Sequence, residues 1–254
     1  MAQPVSSKPE YANWVAPRLV YGPAALAVLL GGLAAFALWF LLPALLCLAC
    51  ASYFAYAQWV LSEGGGDVQR KIQALVLQQL HWKGTGATLD IGCGNGSLAI
   101  AIAKAYPLAH VTGIDSWGRS WEYSQAACDR NASIEGVTKQ VSFQKASAAR
   151  LPFPEGAFDV VVSNLVFHEV RDVADKKLLL KEALRVLKKG GIFVLQDLFL
   201  WRRVYGDIPD LLSAIRSWGV ASAEFFPTNG APFIPRALKL PFMVGTIGII
   251  HGRK

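Results

Sequence analysis

The sequence predicts an α/β protein: a doubly wound, mostly parallel sheet preceded by a pair of apolar helices. Three observations predict it. Residues 19–62 carry no charged side chain, strand and helix signals alternate from residue 68 onward, and a glycine-rich turn, TLDIGCGNGSLAI (88–100), separates the first strand from the next helix.

The uncharged run lies between Arg18 and Glu63 in a chain of 254 residues that is 53% hydrophobic and 17% charged. Roughly 20 apolar residues cross a bilayer core of about 30 Å, so the run fits two spans better than one. It is too long for the apolar region of a signal peptide. Pro43 suits the first turn of a second helix, which places spans near 22–42 and 43–62, joined by a tight turn around Trp39 to Pro43. That turn lacks a strongly polar residue, and a single tilted span or a re-entrant hairpin remains an alternative. Trp14, Tyr21 and Trp59 are candidates for headgroup level, and basic residues flank both ends of the run, Lys8 and Arg18 before it and Arg70, Lys71 and Lys83 after it. The expected organisation is a juxtamembrane segment (1–21), a transmembrane hairpin (22–62), a linker (63–67) and a globular domain (68–254) on the cytoplasmic side of the membrane.

Residues 65–254 hold 23 Lys and Arg against 16 Asp and Glu, the whole of the net charge of +7. A basic domain tethered to a bilayer faces an anionic leaflet. The basic residues are scattered without an interleaved aromatic motif, so no nucleic-acid partner is expected. Four cysteines (Cys47, Cys50, Cys93, Cys128) make no disulfide framework, and no metal site is expected.

Within the globular part, Val68, Ile72, Leu75, Val76 and Leu80 share one face of a helix over 67–81. Strands follow at 87–93, 110–115 and 140–146, with helices at 97–105 and 117–130 between them. The apolar run 158–164 reads as a buried parallel strand. An amphipathic helical pattern covers 175–191, a fifth strand 192–199, a helix 208–218, and two late strands 221–226 and 242–251. Four prolines make 225–242 an irregular loop rather than a helix.

A strand, a glycine turn and a helix N-terminus present backbone N–H groups to a ligand. A P-loop is excluded, because no GK[ST] follows. The dinucleotide fingerprint would put its third glycine at Ser97. The chain instead reads Gly92-x-Gly94-x-Gly96, with Asp90 two residues before it and Asp115 at the end of the second strand, where an acid accepts from ribose hydroxyls. The glycines alone leave nucleotide, dinucleotide and sulfonium ligands open.

The series LDIGCGNG … GID … ASAARLPFPEGAFDVVVSN … EALRVLKKGGIFVLQD resembles the class I S-adenosylmethionine-dependent methyltransferases, in the small-molecule group that includes the ubiquinone/menaquinone C-methyltransferases. The resemblance implies a Rossmann-like, seven-stranded sheet with its last strand antiparallel, and S-adenosyl-L-methionine as cofactor. It implies that Asp90 and the backbone of Gly92, Cys93, Gly94 and Gly96 hold the aminocarboxypropyl end and that Asp115 holds the ribose. Ser116 or Trp117 would cover the adenine. Ser147 stands where the family commonly has an Asp for the adenine amino group, Ala148 offers its N–H, and Asn164 and Leu165 face the methyl-transfer site.

His168 and Glu169 follow the fourth strand and are the candidates for catalysis. Histidine, with an ordinary pKa near 6.5, suits a base where the acceptor must lose a proton. The alternative is that His168 packs in its loop and Glu169 pairs with Arg171. The function expected is a membrane-anchored methyltransferase acting on a small apolar acceptor (a quinone or phenol, a lipid or a thiol). A protein or nucleic-acid methyltransferase at the membrane, or a non-catalytic cofactor-binding protein, are the competing classes.

Overall fold

The computed structural model describes residues 8–118 and 123–254. The chain forms two compact units, Asn13–Lys71 and Ile72–Lys254, the second including the N-terminal residues up to Ala12.

The smaller unit is a helical hairpin. Helix α1 spans Arg18–Ala34 and α2 spans Leu41–Leu61, with a single 3-10 turn at Leu38–Phe40 between them. The turn thus lies ahead of the Trp39–Pro43 position expected from sequence, and α1 begins before residue 22. Ala37 is extended, which ends the first helix, and Gly31 and Gly32 in its last turns weaken its continuation. Pro43 occupies the first turn of α2, where its missing N–H costs nothing. No residue of α1 is buried, and α2 buries only Ala44, Ala51, Ala57, Val60 and Leu61. Val28, Phe36, Leu38 and Trp39 are at least 78% exposed. One stretch, Leu38–Leu61, is long and apolar enough to cross a membrane, with mean hydropathy 2.0, whereas α1, at 17 residues, is shorter. The ends of the unit are tied by polar bonds: Asn13 Nδ2 to the Gln58 carbonyl (2.8 Å), Gln58 Nε2 to the Val15 carbonyl (3.2 Å) and the Trp14 N–H to Gln69 Oε1 (3.0 Å).

The larger unit is the doubly wound sheet. In chain order it contains α3 (Val68–Gln79, shared with the end of the hairpin unit), β1 (Thr85–Ile91), α4 (Ser97–Ala105), β2 (Leu108–Asp115), α5 (Gln125–Ile134), β3 (Val141–Lys145) and β4 (Phe158–Asn164). It continues with α6 (Lys177–Arg185), β5 (Leu187–Asp197), α7 (Arg202–Tyr205), α8 (Ile208–Ser217), β6 (Ser222–Pro227) and β7 (Gly248–Arg253). The strand order is β3-β2-β1-β4-β5-β7-β6. Strands β1 to β5 pair in parallel, and β7 runs antiparallel between β5 and β6. The order reverses between β1 and β4, which opens a crevice at their carboxyl ends.

Each face of the sheet buries one core. Leu89, Ile91, Val161, Phe193 and Leu195 pack with Leu180, Leu184, Leu211 and Ile215 of α6 and α8. The alternate residues Val111, Val160, Val162 and Val194 pack with Val76 of α3, Leu98 and Ile102 of α4, and Cys128 and Ala132 of α5. By the same alternation Asp90, Asn164 and Gln196 belong to this second face.

Of the boundaries that differ from the sequence reading, three are the most informative. The amphipathic helix stops at Arg185, not 191, because Leu187 already pairs with Phe158 and residues 188–191 bulge out of the β4–β5 ladder, with Gly190 at φ 79°. The last strand begins at Gly248 rather than 242, since Leu240–Gly245 close into hydrogen-bonded turns. Helix α5 starts at Gln125, capped by Ser124 Oγ accepting from the Ala127 N–H (3.1 Å), and residues 119–122 of the expected 117–130 helix lie outside the described residues.

Candidate active site

The site is built on the carboxyl ends of β1, β2, β4 and β5. Gly92, Gly94 and Gly96 all have positive φ (72°, 57° and 85°), which only glycine adopts without strain. Each also answers to a neighbour. A Cβ on Gly92 would overlap Val166 after β4, and one on Gly96 would approach Phe143 to 2.8 Å, whereas one on Gly94 would meet nothing nearer than the Tyr123 ring at 3.7 Å. Gly94 is therefore the glycine of the three whose Cβ would meet only ordinary van der Waals contact, with the Tyr123 ring.

Most N–H groups of the turn are spent internally. Gly92 and Cys93 both donate to the Ile114 carbonyl (2.8 and 2.9 Å), Gly96 donates to Cys93, and Gly94 donates to Asp115 Oδ2 (3.0 Å). Hence the turn offers close backbone approach more than free donors. Asp115 Oδ1 accepts from the Trp117 N–H (2.8 Å). Burial raises the Asp115 pKa against these hydrogen bonds.

Asp90 is buried, the Ala99 N–H in the first turn of α4 bonds its carboxylate, and Oδ2 has no partner. Burial is the main cause that lifts its pKa to about 7. At the end of β4, Asn164 Oδ1 is likewise buried and unpartnered. Two acceptors left open on one face of the sheet suit an incoming cationic amine, such as the α-ammonium of an amino-acid group. Asp115, an acid beside Gly94, suits a diol. This set of acceptors therefore fits S-adenosylmethionine.

The other expected residues are placed as follows. Trp117, at φ 41°, turns its indole N–H onto the Gly94 carbonyl (2.9 Å) and packs against the α4–α5 side of the core, while Ser116 is exposed. Ser147 is exposed, its hydroxyl accepting from the Ala149 N–H (3.2 Å), and Ala148 is half-buried beside it. Leu165 sits at φ 58° with its N–H on the Gln196 carbonyl (2.8 Å). Trp117 and Leu165 are thus two non-glycine residues in the left-handed region, one at each side of the crevice. Cys93 is buried next to Cys128, and burial pushes its thiol pKa up.

His168 and Glu169 fall in a 3-10 turn just past β4. His168 Nδ1 lies 2.6 Å from Oδ1 of Asp197, the last residue of β5, and its Nε2 is 3.6 Å from Glu169 Oε1. Glu169 does not pair with Arg171 among the described residues. Asp197 is fully buried and also accepts from the N–H groups of Phe167 (2.8 Å) and Leu198 (2.6 Å). Burial alone would raise its pKa, but the His168 charge and these hydrogen bonds hold it below the usual range. Burial lowers the His168 pKa, and the Asp197 charge and hydrogen bond outweigh that and raise it. The buried Tyr205 hydroxyl lies near Asp197 without hydrogen-bond geometry. Such an arrangement fixes Nδ1 as the protonated nitrogen and leaves Nε2 as the basic one.

Sequence reasoning missed Asp197 and Tyr123. Asp197 ends the motif GIFVLQD, and its only signal was an acid at a strand terminus. Tyr123 covers Gly94 and lies within electrostatic reach of Asp115 and Glu169, so it borders both halves of the site. A separate cavity of about 610 Å³, lined by His81, Lys83, Asp159, Lys188, Lys189 and Arg253, opens at the opposite, amino ends of the parallel strands.

Residues 89–195 match a methyltransferase domain. Demethylmenaquinone methyltransferase of Staphylococcus aureus is 39% identical over 113 residues, which are 44% of this chain and 42% of that protein. The 27-O-demethylrifamycin SV methyltransferase of Amycolatopsis mediterranei is 38% identical over 112 residues, 44% of this chain and 38% of that one. Among solved structures, geranyl diphosphate C-methyltransferase of Streptomyces coelicolor, in complex with S-adenosyl-L-homocysteine, superposes with a TM-score of 0.57 over 74% of this chain and 79% of its own, at 15% identity. The matched stretch is less than half of the chain, and what it matches is a methyltransferase domain. The chain spans between 34% and 48% of the length of the curated relatives it matches.

Proposed function

We propose that the protein is a membrane-anchored methyltransferase that moves the methyl group of S-adenosylmethionine to a small, apolar acceptor which gives up a proton, a phenol or an acidic ring carbon of quinone-precursor type. The observation that carries this reading is the 2.6 Å bond between His168 Nδ1, just past β4, and the buried Asp197 at the carboxyl end of β5. An amine acceptor needs no base before transfer, whereas a phenol or acidic carbon does.

When bound, S-adenosylmethionine supplies an electrophilic methyl carbon on a sulfonium centre. Asp115 would hold the ribose hydroxyls, Gly94 would let the backbone approach, and Asp90 with Asn164 would accept from the amino group. Leu165 and Val166 would present apolar surface to the acceptor. His168 Nε2 would take the acceptor's proton, with Asp197 keeping the imidazole oriented and stabilising its cation, as positioning residue. The relatives named above methylate a demethylmenaquinone and a rifamycin precursor, by their names, and so support a ring-bearing acceptor. The uncharged α1–α2 hairpin with its exposed Leu, Phe and Trp side chains supports an anchor.

The test is incubation of the purified full chain with methyl-labelled S-adenosylmethionine and, separately, lipid, quinone-precursor, small-thiol, protein and nucleic-acid fractions. Label in the quinone-precursor fraction, lost roughly 10²- to 10⁴-fold in His168→Ala while cofactor binding persists, is the expected result. Label confined to protein or nucleic acid overturns the acceptor class.

A further inference from the structure

The segment between β6 and β7 has two unlike sides. Its inner side is packed: Thr228, Ile234, Leu238, Val244 and Ile247 are at most 3% exposed. Gln196 Nε2 donates to Thr228 Oγ1 (3.2 Å), Asn229 Nδ2 to the Gly245 carbonyl (2.9 Å), and the Leu200 N–H to the Thr246 carbonyl (2.9 Å). A 3-10 turn at Arg236–Leu238 and the bonds from Met243 to Leu240 and from Thr246 Oγ1 to the Pro241 carbonyl fix its course. Hence its outer residues are held out by a folded scaffold.

The segment's exposed large hydrophobic residues are Leu240 (38%) and Phe242 (54%), close in sequence to the exposed Arg236 and Lys239, and Phe226 at the end of β6 is exposed as well (45%). No acidic residue occurs anywhere in 225–254. An aromatic and a leucine flanked by unopposed cations match the chemistry of a bilayer interface, where apolar side chains enter the headgroup boundary and basic ones meet anionic lipid. The position matters equally. Gly248 pairs with Asp197, so the segment emerges on the carboxyl side of β5, the side that carries His168.

We propose that this face, Arg236, Lys239, Leu240 and Phe242 with Phe226, rests on a bilayer surface containing anionic phospholipid. It rests on the reading of the chain as a membrane-anchored enzyme with an apolar acceptor, and adds the route: the acceptor reaches the crevice from the lipid interface. Tethering through the hairpin keeps the domain near lipid, so weak interfacial contacts are enough.

The test uses the full chain reconstituted into phosphatidylcholine vesicles with or without phosphatidylglycerol. The photoreactive residue p-benzoylphenylalanine is placed at Phe242, at Leu45 in the hairpin, or at Leu108, which is 73% exposed at the amino end of β2. The expected result is lipid cross-linking from 242 that grows with phosphatidylglycerol, cross-linking from 45 in both vesicles, and little from 108. Arg236→Gln and Lys239→Gln should each reduce the 242 signal about fivefold at low occupancy, with unchanged thermal unfolding. Cross-linking from 45 without any from 242 overturns the docking face and leaves the anchor standing. Cross-linking from 242 without any from 45 keeps the face and removes the anchor. Equal yields from 242 and 108, adducts from 242 to a second copy in place of lipid, or no lipid adducts from any position overturn the proposal.

Discussion

At the residue scale, the His168–Asp197 pair makes the sharpest prediction. The Asp197 charge raises the His168 pKa, so the imidazole stays protonated to higher pH and cannot accept a proton there. Asp197→Asn removes that charge, lowers the His168 pKa and moves the acid limb of kcat/KM to lower pH, while kcat falls at every pH through lost orientation. A pH–rate profile with an unmoved limb removes the coupling. Two glycines separate packing from ligand approach. Gly94→Ala should cost about 1–2 kcal/mol of stability from its left-handed φ alone, yet weaken S-adenosylmethionine binding at least tenfold in calorimetry. Gly92→Ala should unfold at markedly lower temperature, since its Cβ overlaps Val166. Asp90 gives a pH dependence of the opposite sense to that of a salt-bridged carboxylate. Its folded pKa of about 7 exceeds an unfolded value near 3.9, so the folded state holds a proton that the unfolded chain has released, and stability falls as pH rises between these values. Asp90→Asn should therefore stabilise the cofactor-free protein at pH 8 by roughly 1–3 kcal/mol, lose that advantage below pH 4 and bind the cofactor more weakly. A melting curve unaffected at pH 8 would contradict the buried, unpartnered carboxylate. The glycines, Asp90 and Asp115 were legible because turn chemistry demands those residues at fixed offsets. Asp197 was not, because its importance comes from a histidine 29 residues away that the fold brings to it.

At the element scale, legibility followed uniformity. Strand β4 and helix α4 match their expected spans residue for residue, the first because it is a continuous apolar run and the second because the glycine turn and the Tyr106-Pro107 pair bracket it. Where one pattern ran into another, the boundary was hidden: Val186 and Leu187 continue the helical periodicity of α6, yet Leu187 begins β5. The least expected element has no regular structure. Residues 8–12 run along the larger unit, with the Glu10 N–H on Asn131 Oδ1 (2.9 Å) and the Glu10 carbonyl accepting from Asn131 Nδ2 (3.0 Å) and Asn95 Nδ2 (3.2 Å). Asn95 lies inside the glycine turn, its carbonyl also taking Asn131 Nδ2 and its Oδ1 the Ser124 N–H. Asn131, wholly buried, thus ties the N-terminal segment to the turn. Asn131→Ala should remove the bonds to the Glu10 N–H and the Asn95 carbonyl at a cost of about 1–3 kcal/mol and raise hydrogen exchange at 10–12 and 92–97 together. Faster exchange at only one of the two segments would show that they are not coupled.

At the scale of the whole molecule, the two units differ in what solvent they suit. The larger unit buries its apolar residues on both faces of a sheet, while the hairpin leaves its leucines and aromatics outside. Replacing Leu45 and Leu48 of α2 by Arg, at about 2.5–3.5 kcal/mol each for insertion, should shift the full chain from the carbonate-resistant membrane fraction to the extractable one. Retention of the variant in the membrane pellet would argue that α2 does not enter the bilayer. The N-terminal segment gives this division a consequence for biogenesis. Protein chains leave the ribosome N-terminus first, so Glu10 and the hairpin emerge while the partners of Glu10, 85 and 121 residues further on at Asn95 and Asn131, are not yet made. On the proposed anchoring the hairpin reaches lipid first, and the 92–97 turn gains its bond to Glu10 only when the later-made domain folds onto the N-terminal segment. A shortened chain starting at Val68 would remove residues 8–12 along with the hairpin, and with them the Glu10 carbonyl that accepts from Asn95 and Asn131.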